Sequence, residues 1–114
     1  MEELGIGIVG CGYWGINHVR VFTELPESRV VAVCDLRQER LREVGQRFAQ
    51  VAVTTDLDEL IGRQDVDAVV ICTAAASHYD IASICLQAGK HVLLEKPITT
   101  NVADAEDLIR QADS

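Results

Sequence analysis

At 114 residues the chain is long enough for one domain with one core and too short for two. Its 48% hydrophobic and 25% charged composition is that of a soluble globular protein and speaks against disorder, and no apolar run approaches the roughly 20 residues of a membrane span. A formal charge of -8 speaks against nucleic acid or an anionic membrane as partner, and an anionic ligand would need local donors to overcome that field.

Leu4-Gly5-Ile6-Gly7-Ile8-Val9 reads as a short apolar strand. It runs into Gly10-Cys11-Gly12-Tyr13-Trp14-Gly15, a G-x-G-x-x-G spacing, and a helix follows over 16–25. Strand, glycine turn and helix start, in that order, suit a dinucleotide's pyrophosphate. Gly10 allows a tight turn, Gly12 lets backbone approach phosphate oxygens, and Gly15 lets the helix pack closely on its strand. The helix N-terminus offers unpaired N–H groups and a partial positive charge.

A second strand over 29–34 is β-branched and apolar on both faces, as in a buried parallel sheet. A helix over 37–50 carries Leu41, Val44 and Phe48 at helical spacing, and a short third strand spans 51–53. A brief helix over 56–62 has Asp56 and Glu59 at capping-box spacing. The fourth strand, 67–72, leads to a helix over 77–88 with Ser77 as N-cap, Ile81, Ile84, Cys85 and Ala88 as its buried stripe, and Gly89 just past its end. A fifth strand spans 90–94. Pro97 stops it, and a closing helix over 101–112 carries Val102, Ala105, Leu108 and Ile109.

This alternation predicts an α/β, Rossmann-type doubly wound parallel sheet of about five strands in the order 3-2-1-4-5. Residues 1–114 then form one dinucleotide-binding domain, with no residues left for a sixth strand or a C-terminal substrate domain. The open edge of the fifth strand predicts a homo-oligomer, dimer or higher, through that edge, or poor solubility, unless the last helix folds over it.

Asp35 ends the second strand, 20 positions beyond Gly15. A carboxylate there accepts hydrogen bonds from the adenosine ribose and repels a 2′-phosphate, which favours NAD. It can also cap the helix starting near Arg37. Arg37 keeps NADP open as the alternative cofactor, although such an arginine is more often simply solvated. Thr73-Ala74-Ala75-Ala76-Ser77-His78 leaves the carboxyl end of a central strand, where ligands of open sheets collect, and its small residues leave room for a cofactor. His78 is either part of that site or a first-turn residue facing water; His18 and His91 are read as structural. Glu95-Lys96-Pro97 ends the fifth strand on the same rim, and a lysine beside a nicotinamide can assist proton movement at a reacting hydroxyl. Cys11, Cys34, Cys72 and Cys85 show neither a C-x-x-C pair nor a zinc spacing, and three of the four sit in or beside predicted strands, where cysteine behaves as a small buried hydrophobe; they are read as structural thiols of a cytoplasmic protein with no metal.

Together, Gly10 to Gly15, Asp35, Thr73 with His78, and Glu95-Lys96-Pro97 resemble the N-terminal domain of the glucose–fructose oxidoreductase/inositol dehydrogenase/rhizopine-catabolism (Gfo/Idh/MocA) oxidoreductases, over essentially the whole chain. The Glu-Lys-Pro triplet is the most specific element. Gly12-Tyr13-Trp14-Gly15 followed by Asn17 is similar to members acting on nucleotide-linked sugars. The resemblance implies an NAD(P)-dependent enzyme moving hydride between nicotinamide and a sugar, nucleotide-sugar or cyclitol hydroxyl or ketone. It implies that Lys96 contacts the substrate hydroxyl as the catalytic residue, that Glu95 positions the cofactor, and that Pro97 fixes the lysine's approach. Tyr13, Trp14, Arg37 and Ala74 join the cofactor-binding set by position. Ala74 stands where the family usually has proline. Members also carry a second domain with the substrate cavity and a catalytic histidine, so this chain alone is expected to bind cofactor without turnover. The alternative from another class is a stand-alone nucleotide-binding or sensing module without catalysis. An S-adenosylmethionine site is a third reading, against which Glu95-Lys96-Pro97 argues.

Overall fold

Strand β1 (Leu4–Val9) lies at the centre of the sheet, and its alternation of glycine with isoleucine decides how closely each face is covered. The computed structural model describes residues 3–10, 13–94 and 99–113, with Tyr13 and Trp14 described by backbone alone. After β1 come α1 (Tyr13–Glu24), β2 (Ser28–Cys34), α2 (Gln38–Arg47), β3 (Ala52–Thr54), α3 (Leu57–Ile61), β4 (Ala68–Ile71), α4 (His78–Gln87), β5 (His91–Leu94) and α5 (Val102–Asp113). All pairings are parallel and the strand order is β3-β2-β1-β4-β5, as the alternation predicts. Ile8 pairs with Val33 on one side and Val70 on the other, and that register continues to Val53 and Leu93.

Each face has its own apolar cluster. Ile6 and Ile8 join Val30, Val33 and Val70 beneath Val19 of α1 and Leu41 and Val44 of α2. On the opposite face Val9, Val31, Val69 and Ile71 meet Leu60 of α3, Ala82 and Cys85 of α4 and Leu108 of α5. Burial on both faces explains why the strands read as continuous apolar runs. The second face is closely packed because β1 presents glycine to it. A Cβ on Gly5 would lie 1.8 Å from the Asp65 carbonyl oxygen, and one on Gly7 would lie 2.8 Å from Leu60 Cδ2.

Polar ties fix the ends. Asp67, expected as the first residue of the fourth strand, precedes it and accepts the Gly5 N–H on Oδ2 at 2.8 Å. Lys90 Nζ donates to the carbonyls of Arg63 (2.9 Å) and Val66 (2.7 Å), joining the α3–β4 and α4–β5 connections. Helix α4 ends as expected at Gly89, whose φ is +82°. The Gly89 and Lys90 N–H groups return to the carbonyls of Leu86 and Cys85, a Schellman closure.

Several local expectations need correction. Helix α1 starts at Tyr13, ahead of the predicted residue 16, and α2 stops at Arg47 because Phe48 leaves helical conformation. Asp56 caps α3 through the Asp58 N–H, but Glu59 accepts from the Thr54 hydroxyl, so the reciprocal box does not close. Ser77 holds the N-cap position of α4 without a capping bond. The buried residues of α4 are His78, Ala82 and Cys85, while Ile84 and Ala88 are exposed. Small residues bring this helix close to the sheet, so its face is rotated from the bulkiest stripe. In α5 only Leu108 is buried, and Val102 and Ile109 face solvent at 72% and 58% exposure. Polar bonds set its roll: Tyr79 Oη and Gln111 Nε2 both donate to Asp107 Oδ2, and Gln111 Nε2 also donates to Ser83 Oγ. Helix α5 therefore sits on α4 and leaves an apolar groove of about 510 Å³ beside β5. Among the described residues no helix is long and apolar enough to cross a membrane.

Two outcomes follow from this packing. Gly5→Ala is expected to lower stability by about 3 kcal/mol or more in urea titration, since backbone must move to admit the methyl; an unchanged midpoint would contradict the packing. Burial pushes the Cys34 and Cys85 thiols from 9.0 to about 11, with neighbouring Asp35 adding to the effect at Cys34. The folded chain then keeps protons that the unfolded chain loses, so stability is expected to fall as pH rises from about 9 through 11. At pH 8 both thiols should alkylate roughly 100-fold more slowly than in the denatured chain, because the thiolate is the nucleophile. Peptide mapping that finds either one labelled at the denatured rate would refute this.

Candidate functional site

The site begins where β1 ends. Gly10 adopts φ +89°, a region that side chains rarely enter. Its N–H donates to the Cys34 carbonyl at 2.8 Å, while the Cys72 N–H donates to the Val9 carbonyl at 2.8 Å. The chain therefore leaves three neighbouring strands side by side. A Cβ on Gly10 would lie 3.0 Å from the Cys72 carbonyl carbon and from the nitrogen and Cγ2 of Thr73. Glycine is needed there twice over, for its dihedral and for its contact. Gly15 is buried in the first turn of α1. Cys11 and Gly12, the side chains of Tyr13 and Trp14, and Glu95, Lys96 and Pro97 lie outside the described residues.

Asp35 follows β2 and is 7% exposed. Its Oδ1 accepts from the Arg37 backbone N–H (2.8 Å) and from Arg37 Nε (3.2 Å), and its Oδ2 accepts from Nη2 (3.2 Å). The expectation of a solvated Arg37 is thus corrected: the guanidinium forks onto the carboxylate, and half of the side chain remains exposed. The capping role is corrected too. Arg37, not Asp35, is the N-cap residue of α2, and the Asp35 carboxylate engages its backbone N–H through an Asx-type turn.

The third wall is the turn after β4, which passes through a 3₁₀ turn (Ala75–Ser77) into α4. Ser77 Oγ lies 2.7 Å from Thr73 Oγ1 and donates to the Ala74 carbonyl at 2.8 Å. His78 does not face water; it is 1% exposed, and its Nε2 meets the Thr73 carbonyl oxygen at 2.9 Å.

These three turns enclose a cavity of about 550 Å³ at the carboxyl ends of β1, β2 and β4. Gly10, Asp35, Arg37, Thr73 and Ala74 all line it, whereas His78 stands behind the wall. Leu36, Thr55, Leu57, Ser77 and Ile81 line it as well, and sequence reasoning did not assign them to the site. Leu36 had a signal, since it is apolar in the turn directly after a strand-ending acid. It is 86% exposed on the cavity rim. Thr55 and Leu57 gave none, because only the β2–β3 pairing brings them alongside Asp35. The space a Cβ of Gly10 would fill, the acid beside it and the apolar rim fit an adenine dinucleotide.

Residues 4–114 match the family described as "Oxidoreductase family, NAD-binding Rossmann fold". Myo-inositol 2-dehydrogenase of Thermotoga maritima is 33% identical over 106 residues, 93% of this chain and 32% of that protein. Among solved structures, GenD2 from gentamicin A biosynthesis in complex with NAD superposes with a TM-score of 0.94 at 35% identity, covering 99% of this chain and 32% of GenD2. KijD10, a 3-ketoreductase from Actinomadura kijaniata in complex with NADP and TDP-benzene, superposes at 0.91 with 31% identity, covering 98% of this chain and 34% of KijD10. The chain spans about a third of the length of the curated relatives it matches.

Proposed function

The chain belongs to the oxidoreductase family with the NAD-binding Rossmann fold, and on that premise we propose that it clasps NAD along the rim formed by Gly10, Asp35 and Thr73. One observation carries the reading: Gly10, at positive φ, closes against Thr73 beside a buried, strand-ending carboxylate. Gly10, Gly12 and Gly15 form the pyrophosphate turn, with Tyr13 and Trp14 between them. In a chain of net charge -8 that turn and the α1 N-terminus must supply the attraction for phosphate. Asp35 accepts from the ribose hydroxyls; Thr73 and Ala74 form the opposite wall.

The bound nicotinamide supplies hydride chemistry. The substrate class is a sugar, nucleotide-sugar or cyclitol hydroxyl or the corresponding ketone, in keeping with the inositol dehydrogenase and ketoreductase among its relatives. Lys96 holds or moves the proton at the substrate oxygen, with Glu95 positioning the cofactor and Pro97 setting the lysine's approach. The chain by itself binds cofactor without measurable turnover, because orientation of substrate against nicotinamide supplies much of a dehydrogenase's rate and needs walls beyond this domain. The β5 edge, with Leu93 half exposed, favours pairing with a second copy. Sedimentation is expected to give a dimer or larger; a monomer whose β5 amides exchange slowly would count against that pairing.

Cofactor choice turns on Asp35. Arg37 occupies the carboxylate edge that the ribose needs, so NAD must share it or displace the fork, whereas a 2′-phosphate meets the carboxylate's repulsion. Asp35→Ala is expected to weaken NADH by about tenfold or more, from the loss of charged hydrogen bonds, and to strengthen NADPH. Fluorescence titrations of both dinucleotides check this. NADH affinity left intact by the substitution would remove Asp35 from the site.

A further inference from the structure

His78 is the first residue of α4, a position ordinarily open to solvent, yet it is 1% exposed. Its Nε2 lies 2.9 Å from the Thr73 carbonyl oxygen. A carbonyl can only accept, so the imidazole carries its hydrogen on Nε2 and donates it there. The ring does not line the cavity. What it holds is the peptide that does. Thr73 is tied again through Oγ1, 2.7 Å from Ser77 Oγ, and its nitrogen and Cγ2 form the surface on which Gly10 rests. Gly10 in turn is held by the Cys34 carbonyl and opens the glycine turn. One buried donor therefore fixes the peptide against which that turn closes.

We infer that His78 is a positioning residue for the dinucleotide pyrophosphate, acting through Thr73 on the Gly10 turn without touching the ligand. The inference rests on the dinucleotide reading of the cavity. A rigid ring with two side-chain torsions suits the task, because without it the Thr73 carbonyl loses a donor held in a buried ring. A displacement of Thr73 moves the surface that faces Gly10, since its nitrogen and Cγ2 lie 3.0 Å from where a Cβ on Gly10 would stand.

The test is a series at this one position on the full 114-residue chain: wild type, His78→Gln, His78→Asn and His78→Leu, each read by NADH fluorescence titration and thermal unfolding. Glutamine carries its amide nitrogen close to where Nε2 stands, asparagine carries it closer to Nδ1, and leucine keeps bulk with no donor. All three are expected to lower Tm. Leucine and asparagine are expected to weaken NADH at least about tenfold, and glutamine to stay within about threefold of wild type, since only it restores the donor. Affinity that follows Tm alone across the series would overturn the inference, as would a leucine variant binding like wild type. Should the leucine variant fail to fold, asparagine binding as tightly as glutamine overturns it. A wild-type chain that does not bind NADH sinks the dinucleotide reading itself, whereas wild-type binding indifferent to position 78 sinks only the role of His78.

Discussion

Contact between Gly10 and the Thr73 peptide is the constraint around which the site is arranged. Two adjacent parallel strands, β1 and β4, deliver their following turns at the same height, and a side chain at Gly10 would force them apart. With hydrogen in place of a Cβ, the turns close and β2 can lay Asp35 beside them. The cavity at the carboxyl ends of the three strands follows from that closure. The glycines earlier in β1 serve the opposite end of the strand in the same way, letting Asp65 and Leu60 press directly on the sheet.

Electrostatics act locally here. The whole molecule carries excess negative charge, so its far field cannot attract a dinucleotide. An anion bound here would have to be met by local donors. The fork between Arg37 and Asp35 settles a buried carboxylate, because an acid so enclosed is costly unless hydrogen-bonded. Arg37 thereby belongs to the stability of the turn.

Helices α4 and α5 show how polar groups can turn a helix away from its most apolar stripe. In α4 the imidazole of His78 takes a buried first-turn position because a carbonyl awaits it, and Ala82 and Cys85 are narrow enough to let the helix settle on β4 and β5. Ile81 is thereby placed on the cavity rim and Ile84 in solvent. In α5 the bonds from Tyr79 and Gln111 to Asp107 set the roll, so Val102 and Ile109 remain uncovered and the groove along β5 stays open. Hydrophobic spacing alone carries no information about such partners, since each lies on a different element.

Strand identity, the parallel order and the place of Gly10 and Asp35 at the strand ends were legible in the amino-acid sequence, because continuous β-branched runs between helical segments admit few topologies and because a glycine turn before a helix has few uses. The net charge of -8 also made legible that an anionic ligand would need local donors. Tertiary structure alone decided that Arg37 would clasp Asp35, that Leu36 and Leu57 would share one rim, and that His78 would stand behind the wall. Those outcomes depend on distances between segments far apart in the chain, and a hydrogen bond to a carbonyl leaves no mark in the identity of the residue that owns it.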